Sequence, residues 1–389
     1  MAVELAFVII NPYTIRKSRT GGVLTRLLRR PGLELVGARM FAPSQELVDD
    51  FAKSISKDKT DKPEVRDLIV KYVKERYSPH AESGERRRAL FLLFKGENAI
   101  DRVREEVVGH ITHESPTGEA IRDTYADFIK DGKGNVIYFE PAVLIGTDKD
   151  NIKEKMLIWA KHAKKDGGLL ENVVKHPAGK KVEKTLVLLK PDNFQWPSAR
   201  VGTIIDHFSR AGLYIIGAKV VHMTVSMAEK FYQPVREIFS ERFQNVIDDR
   251  VKRALATQFE FTLPDGLSRD VTLKVKELYA ENEFGKIIKF MTGYHPTDFS
   301  DPNDKNKPGK EKSLAIVYQG ENAVQKIRDI LGSTDPNKAA VATVRKEFGK
   351  DVMVNTAHAS DSTANSEREI GILDIAGPEF QQIIENFYK

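Results

Sequence analysis

The sequence predicts an α+β chain of two tandem domains, each a split βαβ unit with helices packed on one face of an antiparallel sheet. Two observations carry this. The first is an internal repeat. Ala6-Phe7-Val8-Ile9-Ile10-Asn11-Pro12 returns as Thr185-Leu186-Val187-Leu188-Leu189-Lys190-Pro191, Pro31–Ala38 returns as Ala211–Ala218, and Gly96-Glu97-Asn98-Ala99 returns as Gly320-Glu321-Asn322-Ala323. The landmarks keep their order, and a period this long marks a duplicated domain, not a solenoid. The second is the order of apolar patterns inside each copy: strand–helix–strand, then strand–helix–strand again.

In the second copy, Thr185–Lys190 is a short apolar run ended by Pro191 and reads as a buried strand. Val201, Ile204, Ile205 and Phe208 recur at helical spacing until Gly212 closes the helix. Leu213–Val221 reads as a second strand crossing the core at Gly217, and Met227–Val235 carries a helical stripe through Phe231 and Val235. Ser313–Tyr318 is a third strand, followed by a helix bearing Ala323, Val324, Ile327 and Leu331, and Asp351–Asn355 is the fourth strand. First-copy strands fall near Ala6–Ile10, Leu33–Phe41, Ala89–Phe94 and Asn135–Phe139. Asn151–Lys165 reads as a helix, and Gly167-Gly168 and Pro177-Ala178-Gly179 mark a linker ending near Val182.

Glycines correspond at a separation of 180 (Gly22/Gly202, Gly32/Gly212, Gly37/Gly217), which grows to 224 at Gly96/Gly320, so the second copy has gained 44 residues. Two segments read as the insertions. Arg236–Lys276 holds an amphipathic stretch (Phe239, Phe243, Val246, Ile247, Val251) and then Phe259–Lys276, a candidate hairpin across Pro264-Asp265-Gly266. His295–Lys312, rich in Pro, Asp and Lys, reads as a mobile surface loop. The expected division is 1–150, a helix and linker over 151–183, and 184–389 with insertions near 236–282 and 294–312.

A chain of 389 residues with 41% hydrophobic and 30% charged residues reads as globular and long enough for two or three cores. No apolar run approaches the roughly 20 residues that cross a bilayer, and no basic segment precedes the first apolar stretch, so neither a membrane nor a secretory signal is expected. The absence of cysteine excludes disulfides, thiolate metal sites and cysteine nucleophiles, and a cytoplasmic protein is the simplest expectation. The net charge of +5 is modest, and Arg29-Arg30, Arg86-Arg87-Arg88 and Lys305–Lys312 are scattered. They read as solvated surface, which argues against nucleic acid as a partner.

One constellation carries chemistry: Lys190-Pro191-Asp192, Arg328, Thr334, Arg345, Asn355, His358-Ala359-Ser360-Asp361-Ser362 and Glu369. These are the parts of a phosphoryl-transfer site. Lys190, Arg328 and Arg345 can neutralise phosphate oxygens as charge redistributes. Thr334 offers a hydroxyl donor. An imidazole on a turn of small polar residues is a good nucleophile near neutral pH, and a carboxylate such as Glu369 can fix its tautomer.

The set resembles the signature of nucleoside diphosphate kinases: a Lys-Pro-Asp strand end, an Asn-x-x-His-Gly-Ser-Asp-Ser motif and a following Ser-Ala-Glu-x-Glu helix. The matching stretches are Lys190–Asp192, Asn355–Ser362 and Asn365-Ser366-Glu367-Arg368-Glu369. The resemblance covers most of 184–375 and, through the repeat, weakly 5–148. It implies two ferredoxin-like domains and a ping-pong phosphohistidine mechanism. His358 would take the γ-phosphate of a nucleoside triphosphate and pass it to a nucleoside diphosphate. It further implies that Glu369 and Ser360 orient His358, that Lys190, Arg328, Thr334 and Arg345 hold phosphates, and that Lys190 and Asn355 reach the ribose. Tyr232 matches a tyrosine near the lysine and Val352 a residue flanking the base. Mg²⁺ would arrive with the nucleotide.

Three departures accompany the match. The base-stacking phenylalanine position is Glu283, with Phe284 beside it; Ala359 stands for the motif glycine; and the extra residues fall in the helix pair that covers the nucleotide. The first copy has Asn11 and Tyr13 for Lys190 and Asp192, and Tyr138-Phe139-Glu140-Pro141-Ala142 for the asparagine-to-histidine segment, while Arg104 and Arg122 are kept. Those arginines are either residual surface charge, the favoured reading, or the remains of a phosphate site.

A lone histidine is seldom catalytic; six partners at matching spacing reverse that balance. His110 and His113 read as surface or capping residues, Glu97 and Glu321 as structural turn residues, and the aromatics of Phe231–Phe243 as core or interface. Trp196 reads equally as exposed or as packed on the other copy. The expected function is nucleoside diphosphate kinase, with the copies packed as a pseudo-dimer that can oligomerise further. The rivals are a nucleotide-binding or scaffolding protein with a vestigial site and a phospho-relay partner.

Overall fold

The computed structural model describes residues 3–60, 62–111, 118–259, 264 and 266–389, and no side chains for 240–243. Met1–Val220 and Leu314–Lys389 form one compact unit; Val221–Ser313 forms a second.

The first copy begins with β1 (Val3–Ile10), α1 (Thr20–Leu28) and β2 (Glu34–Phe41), followed by a helix pair, α2 (Gln45–Ser56) and α3 (Pro63–Arg76). Then come β3 (Ala89–Glu97), a hairpin of β4 (Asp127–Lys130) and β5 (Val136–Glu140), β6 (Val143–Ile145) and α4 (Ile152–Asp166). The second copy runs β7 (Val182–Leu189), α5 (Arg200–Ser209), β8 (Tyr214–Val221), the pair α6 (Val225–Phe259) and α7 (Leu267–Thr292), β9 (Ser313–Glu321), α8 (Ala323–Leu331), β10 (Ala357–Ala359), α9 (Thr363–Leu373) and α10 (Glu379–Tyr388).

The sheet orders are β2-β3-β1-β6 and β10-β7-β9-β8. Counting strands within each copy, both place the first strand between the third and fourth, with the second at an edge. That is the split βαβ order, so the α+β prediction holds in both copies. Central strands are buried on both faces, as the unbroken apolar runs of β1 and β7 require. No helix among the described residues is long and apolar enough to cross a membrane.

Two fourth strands differ from expectation. Residues 135–139 do not join the main sheet; Val136–Glu140 pairs with Asp127–Lys130 in a separate hairpin, and Val143–Ile145 pairs with β1 instead. Likewise Asp351–Asn355 is a turn, with Met353 and Val354 amides donating to Asp351 Oδ1, and the strand is Ala357–Ala359. In both cases β-propensity pointed to a run that tertiary pairing passed over for a shorter one.

Most of the added length of the second copy falls in its helix pair. The pair spans 32 residues over Gln45–Arg76 and 68 over Val225–Thr292, while the connector to the third strand grows from 12 residues (77–88) to 20 (293–312). The expected hairpin is therefore helix from Leu267 onward; 260–263 and 265 lie outside the described residues. His295–Lys312 holds two short 3₁₀ turns, and Lys305 reaches Glu229 at 3.1 Å.

The copies meet where α1 crosses α5. A Cβ on Gly202 would sit 2.3 Å from the Gly21 carbonyl oxygen and the Thr25 amide nitrogen; one on Gly21 would sit 2.5 Å from the Gly202 oxygen. Only glycine lets the two helices approach this closely. The chain end also stitches the copies together: Phe380 of α10 packs edge-on against Phe41 and Phe91, which surround Trp159. Arg39 of β2 donates to the carbonyls of Gly377 and Ala376 at 2.7 and 3.0 Å, and Lys219 of β8 to those of Leu373 and Asp374 at 3.0 and 2.8 Å.

Candidate active site

β10 is three residues long, and its middle residue is His358, opposite Leu188 of β7. Beside it Lys190 leaves β7, its amide donating to the Thr356 carbonyl at 2.9 Å. Thr356 has φ +76°, a left-handed conformation costly for a β-branched residue, on the order of 1–3 kcal/mol. Its neighbours hold it there: Arg200 Nη2 donates to Thr356 Oγ1 at 2.9 Å, and Asn193 Nδ2 to its carbonyl at 2.7 Å. Sequence reasoning gave Arg200 and Asn193 no role. Asn193, two residues past Pro191, was within reach of that reading; Arg200 belongs to no motif and is found only by its contacts.

The His358 side chain is 24% exposed, with Nε2 3.0 Å from Glu369 Oε2. Glu369 is buried on α9, a helix capped by Ser362, whose Oγ accepts from the Asn365 amide at 3.1 Å. The same Oε2 accepts from buried Ser360 Oγ at 2.7 Å, and Ser360 Oγ accepts in turn from the Leu186 amide at 3.3 Å. Glu369, Ser360 and the Leu186 amide thus line up along one edge of the imidazole.

Lys190 is buried; its Nζ donates to Asn355 Oδ1 at 2.6 Å and to the Met353 carbonyl at 3.2 Å. Asn355 Nδ2 donates to the carbonyls of Thr334 and Val352 at 3.1 and 2.7 Å. Arg345 spans from the Gly332 carbonyl, 3.0 Å, to the Ala357 carbonyl, 2.9 Å. Burial, then the positive charge of Arg345, pulls the Lys190 ammonium down to about 7, against the opposing pull of Asp192 and Asp351. Burial is the main reason its charged form is disfavoured, and a nearby anion would favour that form. Arg328 is exposed on α8, and Asp361 feels both it and His358; the Asn365 hydrogen bond is the first cause holding the Asp361 carboxyl low.

The structure therefore gathers Lys190, Arg345, Asn355, His358, Ser360 and Glu369 around the end of β7, with Thr334 and Val352 present through their carbonyls and their side chains exposed. Tyr232 and Phe284 belong to the second unit, buried on α6 and α7; the Arg236 guanidinium lies 5.5 Å from the Phe284 ring centre. Glu283 pairs with Lys286 at 2.5 Å.

The first copy repeats this frame with other side chains. Asn11 takes the place of Lys190, its amide donating to the carbonyl of Ala142 at 3.2 Å, and Ala142 has φ +60° like Thr356. In this register Pro141 stands for Asn355 and buried Leu144 for His358, so the counterpart of the active segment runs two residues beyond Tyr138–Ala142. Arg122 makes the contacts of Arg345: it donates to the Gly109 carbonyl at 2.8 Å and the Val143 carbonyl at 3.5 Å. Its retention thus has a structural cause, bracing the fourth strand. Arg104 pairs with Glu105 at 3.0 Å. The repeat separation drops from 224 at Arg104/Arg328 to 223 at Gly109/Gly332, and Arg102–Val108 is a π-helix, which absorbs one extra residue.

Candidate metal ligands lie apart from His358. Glu46, Asp50 and His162 approach one another, but Lys165 lies 2.8 Å from Glu46 and Lys161 3.2 Å from Asp50, so ammonium groups already compensate both carboxylates. His110 lies 2.8 Å from Glu105, and His113 is outside the described residues. Trp196 is 77% exposed, which settles the question left open above.

The profile of the family described as nucleoside diphosphate kinase matches residues 183–254 and 308–373. The chain is 29% identical over 188 residues to the nucleoside diphosphate kinase of Anaeromyxobacter sp., covering 48% of this chain and 86% of that protein. It is 29% identical over 191 residues to that of Bacillus thuringiensis subsp. konkukian, covering 49% and 87%. Solved nucleoside diphosphate kinase structures from Aquifex aeolicus (22% identity, TM-score 0.30) and Pyrobaculum aerophilum (26%, TM-score 0.33) cover 49% of this chain and 94% and 95% of theirs.

Proposed function

The chain belongs to the nucleoside diphosphate kinase family, and from that premise we propose that it exchanges γ-phosphates between nucleotides through a phosphohistidine on its second copy, while the first copy serves as a structural partner. The observation that carries this is the imidazole of His358, its Nε2 3.0 Å from the buried Glu369 carboxylate, beside a buried lysine whose charged form burial disfavours.

With Nε2 turned to Glu369, Nδ1 is the nucleophile. Its lone pair attacks the γ-phosphorus in line, the bond to the β-phosphate bridging oxygen breaks, and the nucleoside diphosphate leaves with those electrons. In the second half-reaction a terminal β-phosphate oxygen of another diphosphate attacks the phosphohistidine and Nδ1 leaves. Glu369 stabilises the positive charge the ring acquires, and Ser360 keeps that carboxylate in place. Lys190, Arg328 and Arg345 neutralise phosphate oxygens, Thr334 donates to them, and Asn355 orients the lysine and reaches the sugar. Val352 flanks the base. Mg²⁺ would come with the nucleotide and help neutralise its phosphate charge; beside His358 the Glu369 carboxylate is taken up by Ser360 and Asp361 is exposed, so no resident cage is assigned.

The engagement of Glu283 with Lys286 favours a second reading, a nucleotide-binding scaffold with weak turnover. One experiment separates them. Incubation with γ-labelled ATP should yield an acid-labile, alkali-stable phosphoprotein that a nucleoside diphosphate discharges, and His358→Ala should abolish both. Full exchange by His358→Ala would overturn the assignment; binding without phosphoprotein would establish the scaffold.

A further inference from the structure

The run Arg86-Arg87-Arg88, which reads as solvated surface in the sequence, is half-buried along a cleft of about 710 Å³ whose walls come from both copies, Tyr13 and Tyr138 on one side and Leu213 and Tyr214 on the other. Arg16, from the short helix Pro12–Arg16, and Arg76, at the end of α3, line the same space. Arg16, Arg76 and Arg87 are close enough that the first two add to burial in lowering the Arg87 guanidinium, burial being the larger cause.

The balance of charge in the cleft is one-sided. Among the described residues none of these three arginines is ion-paired; Arg87 gives one donor to the Glu75 carbonyl at 2.9 Å. Arg86 is neutralised by Asp166 at 3.2 Å, and Arg88 turns to the Ile215 carbonyl and the Tyr214 ring. Neither carboxylate of the wall is ion-paired to these three arginines, and Glu140 also feels the charge of Arg76. Glu85 pairs with Lys175, and Glu140 is buried, accepting from Tyr72, Asn11 and the Ala142 amide. Like charges held together with little opposing charge are kept at a cost that a multiply charged anion removes, and guanidinium forks match phosphate oxygens. The volume falls within the range of small-molecule sites.

We propose that this cleft is a second anion site, separate from His358, that takes the phosphate groups of a small polyphosphate. It shares no residue with the phosphotransfer site and does not depend on that reading.

The test is calorimetric titration of the full chain with inorganic triphosphate at low salt, comparing wild type with Arg16→Gln/Arg76→Gln. Both side chains are exposed, so the fold tolerates the change, which a thermal melt verifies. Each lost charge-assisted contact should weaken binding by about tenfold or more. The variant should therefore lose one binding event, affinity falling roughly 100-fold or beyond, and keep its nucleotide exchange rate. The lost event should also be the one that weakens steeply with added salt. Undiminished triphosphate binding by a folded variant overturns the proposal, as does the loss of exchange together with binding. Repeating the titration with ATP in a His358→Ala background distinguishes the source of the phosphates: equal affinity marks a polyphosphate site, and tighter binding lost with Arg16 and Arg76 marks a nucleotide site.

Discussion

Protonated Lys190 should cost the empty protein stability that neutral Lys190 does not. Its folded value, near 7, lies below the ordinary 10.5 of an unfolded chain, so unfolding takes up a proton between those limits. The sign follows: the penalty is complete below pH 7, shrinks as pH rises, and vanishes above 10.5. Each pH unit between the two values is worth about 1.4 kcal/mol, giving roughly 5 kcal/mol at low pH, about 3 at pH 8 and about 2 at pH 9. Lys190→Met removes this titration but leaves Asn355 Oδ1 without its donor, a pH-independent loss of about 1–3 kcal/mol. Urea unfolding followed through buried Trp159, which lies in the same compact unit, gives the comparison at constant ionic strength. From pH 7.5 to 9.5 wild type should gain about 2–3 kcal/mol relative to the variant, all other titrations cancelling. Parallel pH profiles would refute a depressed lysine. A companion measurement needs no mutation: a phosphate drawing Lys190 back to the ammonium form should bring in close to 0.9 proton per site at pH 8 and few at pH 6.

Two further outcomes test the frame around it. Ser360→Ala removes the donor to Glu369 Oε2 and should lower the rate of phosphoenzyme formation about tenfold while nucleotide binding is unchanged, measurable by rapid quench; equal loss of binding would argue against a role in orienting the ring. Gly202→Ala places a methyl group 2.3 Å from the Gly21 oxygen, so a melt should show about 1–3 kcal/mol of destabilisation despite alanine's better helix propensity; an unchanged melt would mean the copies do not rely on this crossing.

The candidate site residues were legible as a group because they sit in short motifs, Lys190-Pro191-Asp192 at a strand end and His358 to Glu369, and the fold brings those motifs together. Strand identity was less legible. A three-residue strand such as Ala357–Ala359 has no periodicity to read, whereas the apolar Val136–Glu140 does and yet pairs elsewhere. Register with β1 and β7, set by hydrogen bonds across the sheet, decides which segment becomes the fourth strand. The added helix length was mistaken for a hairpin because Pro264 and Gly266 punctuate either structure equally well.

The sequence by itself determined the α+β class and showed the internal repeat and the candidate phosphoryl-transfer residues in its second copy alone, since each rests on residue identity and local period. Only the tertiary structure decided that Arg122 and Arg345 brace the fourth strand, that Arg200 and Asn193 hold the strained Thr356, and that Arg16, Arg76 and Arg87 share one cleft. These residues are distant in sequence and meet because two sheets and a glycine crossing bring them together. Contact between such residues depends on how the elements pack, and no local pattern encodes it.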